Sequence, residues 1–141
     1  MCVEIPDLRE RCHEYLAGLV GGDKLVASLL LLHLLSSTLI VKEAKVGKLG
    51  INIFNFPAVG ADAADRLVKG ISDIVPWCTA VPLSISALNN TNFQPNAEQG
   101  DLAAGALQLA PLTVLVCDET RLEEGTLQEK GLRNLQALQR V

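Results

Sequence analysis

Two adjacent carboxylates, Asp118 and Glu119, end a short apolar run that begins at Leu112. In α/β folds that handle phosphate, a buried strand ending in Asp-Glu places two carboxylates at the sheet edge, where Mg²⁺ and a water molecule would sit. This part of the chain therefore has the pattern of an ATPase. The pattern predicts a residual Walker B-like pair, Asp118 and Glu119, as the candidate site.

The loop that would hold the phosphates lacks most of the residues that phosphate binding requires. A P-loop has the pattern G-x-x-x-x-G-K-[ST]: backbone N–H groups surround the phosphates, the lysine contacts their terminal oxygens and the hydroxyl binds the metal. Here a predicted strand at residues 51–56 runs into residues 57–64, which retain only Gly60 and place the negative charge of Asp62 near the expected phosphate. The sequence therefore predicts a non-enzymatic domain with no cofactor and no metal.

Two interpretations of the acid pair remain open. In the first, Asp118 and Glu119 position metal and water, and the chain is a divergent P-loop NTPase with weak nucleotide binding. In the second, which the missing lysine and hydroxyl favour, the pair is vestigial and caps the next turn or the following helix. The loop before it has a similar structural interpretation, in which Gly60 supplies flexibility and Asp62 is the N-cap of the next helix.

The other polar residues are weaker candidates for a catalytic or binding site. Glu119, Glu123 and Glu124 form an acidic cluster, but no histidine is near them in sequence, and such a cluster is typical of a solvated rim. A rim of this kind can also meet a basic patch on a partner and change the rate of encounter. Neither His13 nor His33 has a motif partner, and a packed or hydrogen-bonded role is favoured for His33.

Composition limits the class of protein. A chain of 141 residues suits one compact domain with a single core. Apolar residues make up 49% of it and charged residues 20%, which indicates a folded domain rather than a disordered tail. The formal net charge of −4 opposes attraction to a nucleic-acid backbone, so protein partners are favoured over DNA.

The cysteines do not indicate a metal or redox site. Cys2, Cys12, Cys78 and Cys117 lie far apart and form no C-x-x-C pair. Because no signal peptide is apparent, we interpret them as reduced, partly buried thiols of an intracellular protein.

Residues 25–41 are the most apolar part of the chain. They reach only the short limit of a membrane span and contain polar side chains such as Ser28 and His33, so a buried helix is favoured over a span. Asp23 is positioned to cap this helix, which we expect to continue to about Val41. Since the helix is apolar around most of its surface, we expect it to pack between other elements.

The spacing of apolar residues predicts the remaining elements. An amphipathic helix in the first twenty residues ends at Gly21-Gly22. The order of elements favours an α/β fold with a partly parallel sheet flanked by helices. Leu132 and Leu135 on the last helix either complete the core or form a groove for a partner. The later predicted elements are a strand at 48–56, a helix at 62–74, a short or edge strand at 79–85, a surface loop at 89–96, a short helix at 102–109, a strand ending at Asp118 and a final helix.

Several of these segments resemble a known family. They are DKLVASLLLLHLLS at residues 23–36, KLGINI at 48–53, the segment 66–76 that ends in IVP, LVCDET at 115–120 and LEEG at 122–125. Together they resemble the minichromosome maintenance (MCM) complex-binding protein family, from about Asp23 to the end of the chain. The most specific parts are LLLHLLS and the pattern DETxLExGxL at residues 118–127.

The resemblance implies both a fold and a function. Family members look like degenerate relatives of the MCM helicase ATPase, which implies a degenerate P-loop/AAA+-like core. Residues 1–22 would be an N-terminal helical segment, and residues 23–141 a partial MCM-like α/β domain lacking a P-loop. The family is nuclear, binds MCM helicase subunits, assists assembly or unloading of the MCM complex in DNA replication and supports sister-chromatid cohesion.

The resemblance also sets limits on the partners and the extent of the chain. Direct binding to nucleic acid and attachment to a membrane are not expected, and the oligomeric state is left open. Because family members are several times longer than 141 residues, we expect this chain to be a fragment.

Overall fold

The computed structural model describes residues 5–41, 44–47, 49–56, 62–97 and 102–141. Packing divides the chain into two compact units, Met1–Cys78 and Thr79–Val141. The helices and strands of the described residues are α1 (Ile5–Leu19), α2 (Lys24–Leu35), β1 (Leu39–Val41), β2 (Ala44–Val46), α3 (Ala63–Ser72), β3 (Cys78–Pro82), α4 (Ile85–Asn90), β4 (Val114–Asp118) and α5 (Glu129–Arg140).

In the first unit, a tight turn joins α1 to α2. Gly21 and Gly22 follow α1 with φ angles of 73° and 89°, a region that residues with side chains rarely adopt. The Gly22 N–H donates to the Ala17 carbonyl at 2.7 Å and closes the last turn. Asp23 then caps α2, because its Oδ1 accepts from the N–H groups of Leu25 at 2.9 Å and Val26 at 3.0 Å. The predicted helix end and N-cap are both confirmed.

The second helix is shorter than the sequence predicts. It ends at Leu35, and the expected continuation to Val41 is wrong because Leu39–Val41 forms β1, which pairs antiparallel with β2. The Ser36 hydroxyl donates to the His33 carbonyl at 2.7 Å, while the Ser36 backbone is already extended, with φ −73° and ψ 147°. A serine that bonds to the preceding turn in this way offers the chain an alternative to continued helix.

The core of the first unit forms between α1 and α2. Its buried members are Leu16, Ala17, Val20, Ala27 and Leu30. On the other side of α2, the leucines at positions 25, 29, 32 and 35 are exposed. The prediction that this helix packs between other elements is therefore wrong over the part of the chain that the structure describes. The N-terminal helical segment predicted at residues 1–22 contains α1, which contributes Leu16 and Ala17 to this core. Among the described residues, no single helix meets the length and apolarity of a membrane span, and α1 with α2 do so only jointly, across a bend of 119°.

The predicted strand at 48–56 is wrong over the described residues. Residues 49–56 form no strand, although Ile51, Ile53 and Phe56 pack against the first core. Asn55 has a φ of 55°, which interrupts the extended conformation that a strand requires. Residues 57–61, including Gly60, lie outside the described residues. The helix predicted at 62–74 is confirmed as α3, with Asp62 at the N-cap position but without a side-chain capping bond.

A hydrogen bond also connects the two ends of the first unit. The hydroxyl of Tyr15 on α1 donates to Oδ2 of Asp73, directly after α3, at 2.7 Å. This bond to a carboxylate favours the protonated phenol and therefore raises the pKa of Tyr15.

In the second unit, β3 and β4 form a two-stranded parallel sheet. The Leu83 N–H, just after β3, donates to the carbonyl of Asp118 at the end of β4, at 2.8 Å. The bond joins the carboxyl ends of both strands. β3 is shorter than the predicted strand because Ser84 starts α4, its Oγ accepting from the Ala87 N–H at 3.0 Å. The strand ending at Asp118 and the final helix are confirmed as β4 and α5.

The second core is formed by residues of β3, of α4 and of the segments that follow them. Its buried members are Val81, Leu83, Leu88 and Phe93. The short helix predicted at 102–109 is wrong, because this stretch instead bonds to the preceding loop. Asn96 and Ala103 exchange N–H···O bonds of 3.0 and 2.8 Å, and the Leu107 N–H donates to the Phe93 carbonyl at 3.0 Å. The predicted loop at 89–96 begins late, since Asn89 and Asn90 still belong to α4.

Candidate functional site

The acid pair lies where β4 ends, beside the end of β3. Asp118 is only 8% exposed, whereas Glu119 is exposed. The parallel pairing therefore brings the residues after both strands to one edge, where α/β sheets commonly bind ligands. The two carboxylates therefore have different surroundings: the Asp118 carboxylate is buried, and the Glu119 carboxylate is open to solvent.

The turn that follows β4 engages the buried carboxylate. Oδ1 of Asp118 accepts a hydrogen bond from the Thr120 N–H at 3.0 Å and another from the Thr120 hydroxyl at 2.6 Å. In such a turn, a carboxylate takes the place of a backbone acceptor. This geometry matches the interpretation in which the acid caps the next turn. A metal ion at the same oxygen would compete with both bonds.

Glu119 affects the pKa of the preceding cysteine, Cys117. Partial burial raises the pKa of the Cys117 thiol, and the nearby negative charge of Glu119 raises it further. The protonated thiol is a poor nucleophile, because the thiolate is the reactive form. The electrostatics around the acid pair therefore work against a nucleophilic role for Cys117.

An open apolar hollow of about 470 Å³ begins beside Glu119. Its rim carries Glu119, Glu123 and Glu124, all of which are exposed, as the sequence predicts for a solvated acidic rim. We call this feature the acid-rimmed hollow. Its apolar lining consists of Leu83, Ile85, Leu88, Leu122, Leu127 and Leu135.

Close packing of Gly125 against α4 shapes one wall of the hollow. A Cβ atom added at Gly125 would lie 3.1 Å from Cγ1 and 3.2 Å from Cγ2 of Ile85, tighter than ordinary van der Waals contact. The absence of a side chain therefore lets the loop after β4 approach the first residue of α4. The glutamate rim and the apolar lining are held close together as a result.

Asn89 fixes the far end of the same loop. Its Oδ1 accepts from the Gln128 N–H at 2.8 Å, and its Nδ2 donates to the Thr126 carbonyl at 3.1 Å. Lys130 adds a bond from Nζ to the Asn90 carbonyl at 2.7 Å. The last turn of α4 thereby binds the chain that leads into α5.

Asn134 is the residue that the sequence analysis missed. It is 4% exposed on α5, and its Nδ2 donates to the carbonyls of Leu88 at 2.7 Å and Thr91 at 2.8 Å. Its Oδ1 accepts from the Phe93 N–H at 3.2 Å. The spacing of the sequence could have indicated this role, because Asn134 lies three residues from both Gly131 and Ala137, the other buried positions of this helix.

The two leucines singled out on the last helix have different roles. Leu135 lines the acid-rimmed hollow and packs against the second core. Leu132 is 52% exposed and does not line the hollow. Leu135 therefore fits the interpretation in which the leucine completes the core. Leu132 lies on the surface, where a partner could contact it.

The histidines make hydrogen bonds. His33 Nδ1 lies 2.6 Å from the Leu49 carbonyl and donates to it, which confirms the hydrogen-bonded interpretation of this residue. His13 Nε2 lies 2.9 Å from the Ser28 hydroxyl and 3.0 Å from the Lys24 carbonyl. Both rings thus have polar partners within the first unit.

Metal-ligating side chains are dispersed over the described residues. Within them, no group of three or more His, Cys, Asp or Glu side chains is arranged to hold a metal ion. Cys12 and Cys78 are half-buried, Cys117 is more exposed than either but still partly buried, and none of these three is in a disulfide. Burial raises the pKa of Cys78, partly opposed by a hydrogen bond with Ser72. Cys2 lies outside the described residues.

Comparison with known proteins gives one consistent similarity. A family model described as "Mini-chromosome maintenance replisome factor" matches residues 2–141. The chain is 35% identical over 139 residues to the mini-chromosome maintenance complex-binding protein of Arabidopsis thaliana and 34% identical to that of Salmo salar. It is 31% identical over 138 residues to the protein of that name from Homo sapiens.

These alignments cover most of this chain but a small part of its relatives. They include 96% of this chain and 24%, 22% and 21% of the Arabidopsis, salmon and human proteins, so the chain spans about a quarter or less of their length. No solved structure matches the chain.

Proposed function

The chain belongs to the mini-chromosome maintenance replisome factor family, and we propose that it binds the MCM complex by protein–protein contact without catalysing a reaction. The observation that carries the proposal is the family match over residues 2–141, together with relatives that are named as MCM complex-binding proteins. A net charge of −4 fits a protein partner better than a nucleic-acid backbone.

The proposal includes the cellular role that the family resemblance implies. The chain would act in the nucleus during DNA replication, where MCM binding would assist assembly or unloading of the MCM complex and support sister-chromatid cohesion. Its mechanism would be the recognition of an MCM subunit surface. In this view, the residues that matter are exposed contact residues rather than catalytic ones.

We also propose that the fold is a degenerate P-loop/AAA+-like core related to that of the MCM proteins. In support, β3 and β4 are parallel, and the acid pair follows directly at their shared carboxyl edge. A retained architecture of this kind would let the chain imitate or cover part of an MCM subunit. Function in such a case depends on the surface and not on the fold alone.

The surroundings of Asp118 support a role without catalysis. Two hydrogen bonds from Thr120 occupy its Oδ1, and burial on the sheet edge limits its access to a bound nucleotide. Phosphoryl transfer also depends on cations or N–H groups that compensate the charge of the phosphates. Glu119 and the other rim glutamates would add negative charge instead.

The alternative is a divergent P-loop NTPase with weak nucleotide binding, and the position of the acid pair at a parallel sheet edge favours it. A Mg-ATP turnover assay separates the two functions. The proposal predicts no turnover above that of a heat-denatured control. Turnover that disappears in Asp118→Ala/Glu119→Ala would establish the NTPase and overturn the non-catalytic role.

The main test is an affinity capture from nuclear extract followed by mass spectrometry. The 141-residue chain and the human relative serve as baits in parallel, and a scrambled-sequence chain controls for adhesion. Enrichment of MCM subunits on both baits is the expected result. If only the human relative enriches MCM subunits, this chain does not bind the MCM complex on its own. If neither bait enriches them, the function inferred from the family is wrong.

A further inference from the structure

We infer that the acid-rimmed hollow is the docking site for a basic amphipathic segment of a partner protein. An apolar side chain of that segment would occupy the hollow, and its lysine or arginine side chains would meet the glutamate rim. The inference rests on the proposed function, since it takes the segment to be part of an MCM subunit.

The apolar lining favours a side-chain anchor. The hollow of about 470 Å³ falls within the range of roughly 300–1,000 Å³ that is usual for binding pockets. Leu122 lines it and is still 53% exposed, so a bound apolar side chain would remove further apolar surface from water. Hollows that accept an apolar anchor of a partner helix or strand are a recurrent mode of peptide recognition.

The charge around the hollow selects the chemistry of the segment. Residues 118–129 contain five acidic residues and one basic residue, Arg121. Across the described residues, neither Glu123 nor Glu124 forms an ion pair. Both carboxylates are therefore available to lysine or arginine from a partner. The same charges would repel a nucleotide or a nucleic-acid backbone.

The walls of the hollow are fixed before a partner arrives. Asn89 binds the loop at Thr126 and Gln128, and Asn134 binds α5 to the end of α4. Gly125 packs closely on Ile85 at the opposite wall. A preformed site loses less conformational entropy on binding than a mobile one, which favours a specific contact.

The experiment measures binding of the 141-residue chain to purified MCM complex by surface plasmon resonance, at low and at physiological ionic strength. Leu122→Ser removes an exposed apolar contact, and Glu123→Lys/Glu124→Lys reverses the rim charge. Leu102→Ser is the matched apolar control, since Leu102 is 77% exposed and does not line the hollow. Glu10→Lys/Glu14→Lys on α1 makes the same change in net charge at two exposed glutamates.

We expect Leu122→Ser and the rim reversal each to weaken binding by roughly tenfold, as the loss of a central contact or a charge reversal at an interface commonly does. The rim reversal should also weaken the dependence of binding on salt. Both controls should bind as the original chain does. Circular dichroism of each variant checks that the fold is retained, which the exposure of the substituted side chains favours.

The other outcomes each overturn a defined statement. If only the rim reversal weakens binding, the apolar anchor in the hollow is wrong. If the original chain binds and the two hollow variants bind equally well, the docking site is wrong while the proposed function stands. If only Leu122→Ser weakens binding, or if Glu10→Lys/Glu14→Lys weakens it as much as the rim reversal, the basic character of the segment is wrong. If the original chain does not bind the MCM complex, the proposed function fails, and the docking site that rests on it fails as well.

Discussion

The side chain of Asn134 donates a hydrogen bond of 2.7 Å to the backbone carbonyl of Leu88, which lies 46 residues earlier in the chain. Leu88 is in the last turn of α4, where helix carbonyls have no partner within the helix. One buried amide on α5 therefore completes the end of another helix. The same amide binds the loop that carries Phe93, a fully buried member of the second core.

The first prediction concerns the stability that Asn134 provides. Asn134→Leu removes three hydrogen bonds and leaves buried backbone groups at Leu88 and Phe93 without their partner. We expect the free energy of unfolding to fall by about 2–4 kcal/mol, because an unsatisfied buried polar group is costly. Urea unfolding followed by circular dichroism measures this change. Gln136→Leu on the exposed side of α5 is the control, and an equal loss in both variants would contradict the prediction.

The second prediction concerns the turn at the acid pair. Asp118→Ala and Thr120→Val each break the bond between the carboxylate and the hydroxyl, so their effects on stability should not add. We expect a coupling free energy of about 1 kcal/mol in a double-mutant cycle, below the roughly 1.5–3 kcal/mol of a hydrogen bond to a charged group, because this turn is partly exposed. Thr126→Val, paired with Asp118→Ala in a second cycle, should show no coupling. Additive effects in the first cycle would mean that the turn is not held by this bond.

Local signals in the sequence predicted several elements well. Gly21 and Gly22 end α1, Asp23 caps α2, and the apolar run before Asp118 forms β4. Each of these features depends on residues within a few positions of one another: a positive φ, a capping carboxylate or a short apolar strand. The position of the acid pair after a strand was predictable for the same reason.

Two of the wrong predictions concern segments whose conformation depends on residues outside the segment itself. Residues 102–109 have helical spacing, yet Ala103 and Leu107 bond to the loop at Asn96 and Phe93, and these backbone bonds replace the helix. Residues 49–56 have the composition of a strand but lack a neighbouring strand among the described residues, so their apolar side chains pack without forming a sheet. The hollow combines three separate segments of the second unit, and spacing along the chain does not predict such a combination.

The third prediction compares two aspartates at the starts of helices. The Asp23 carboxylate accepts two N–H bonds at the start of α2, whereas Asp62 at the start of α3 accepts none from its helix. Asp23→Ala should lower the free energy of unfolding by about 1 kcal/mol, a typical cost of losing an N-cap. Asp62→Ala should cost less than half as much, since only its interaction with the helix dipole is lost. Chemical denaturation of both variants tests the difference, and equal losses would rule out the capping bonds as its cause.

The fourth prediction concerns the reactivity of Cys117 as a function of pH. Burial and the charge of Glu119 both raise the pKa of this thiol, so less thiolate is present at a given pH and alkylation by iodoacetamide should be slow near neutrality. Glu119→Gln removes the second cause. It should shift the pH midpoint of the alkylation rate downward and accelerate the reaction at pH values below that midpoint. The midpoint should still lie above the ordinary range because burial remains.

Mass spectrometry of the peptide containing Cys117 follows this thiol separately from the other cysteines. Glu123→Gln is the matched control, since Glu123 makes no contribution to the shift. A midpoint that is unchanged in Glu119→Gln would show that burial alone sets the pKa of Cys117.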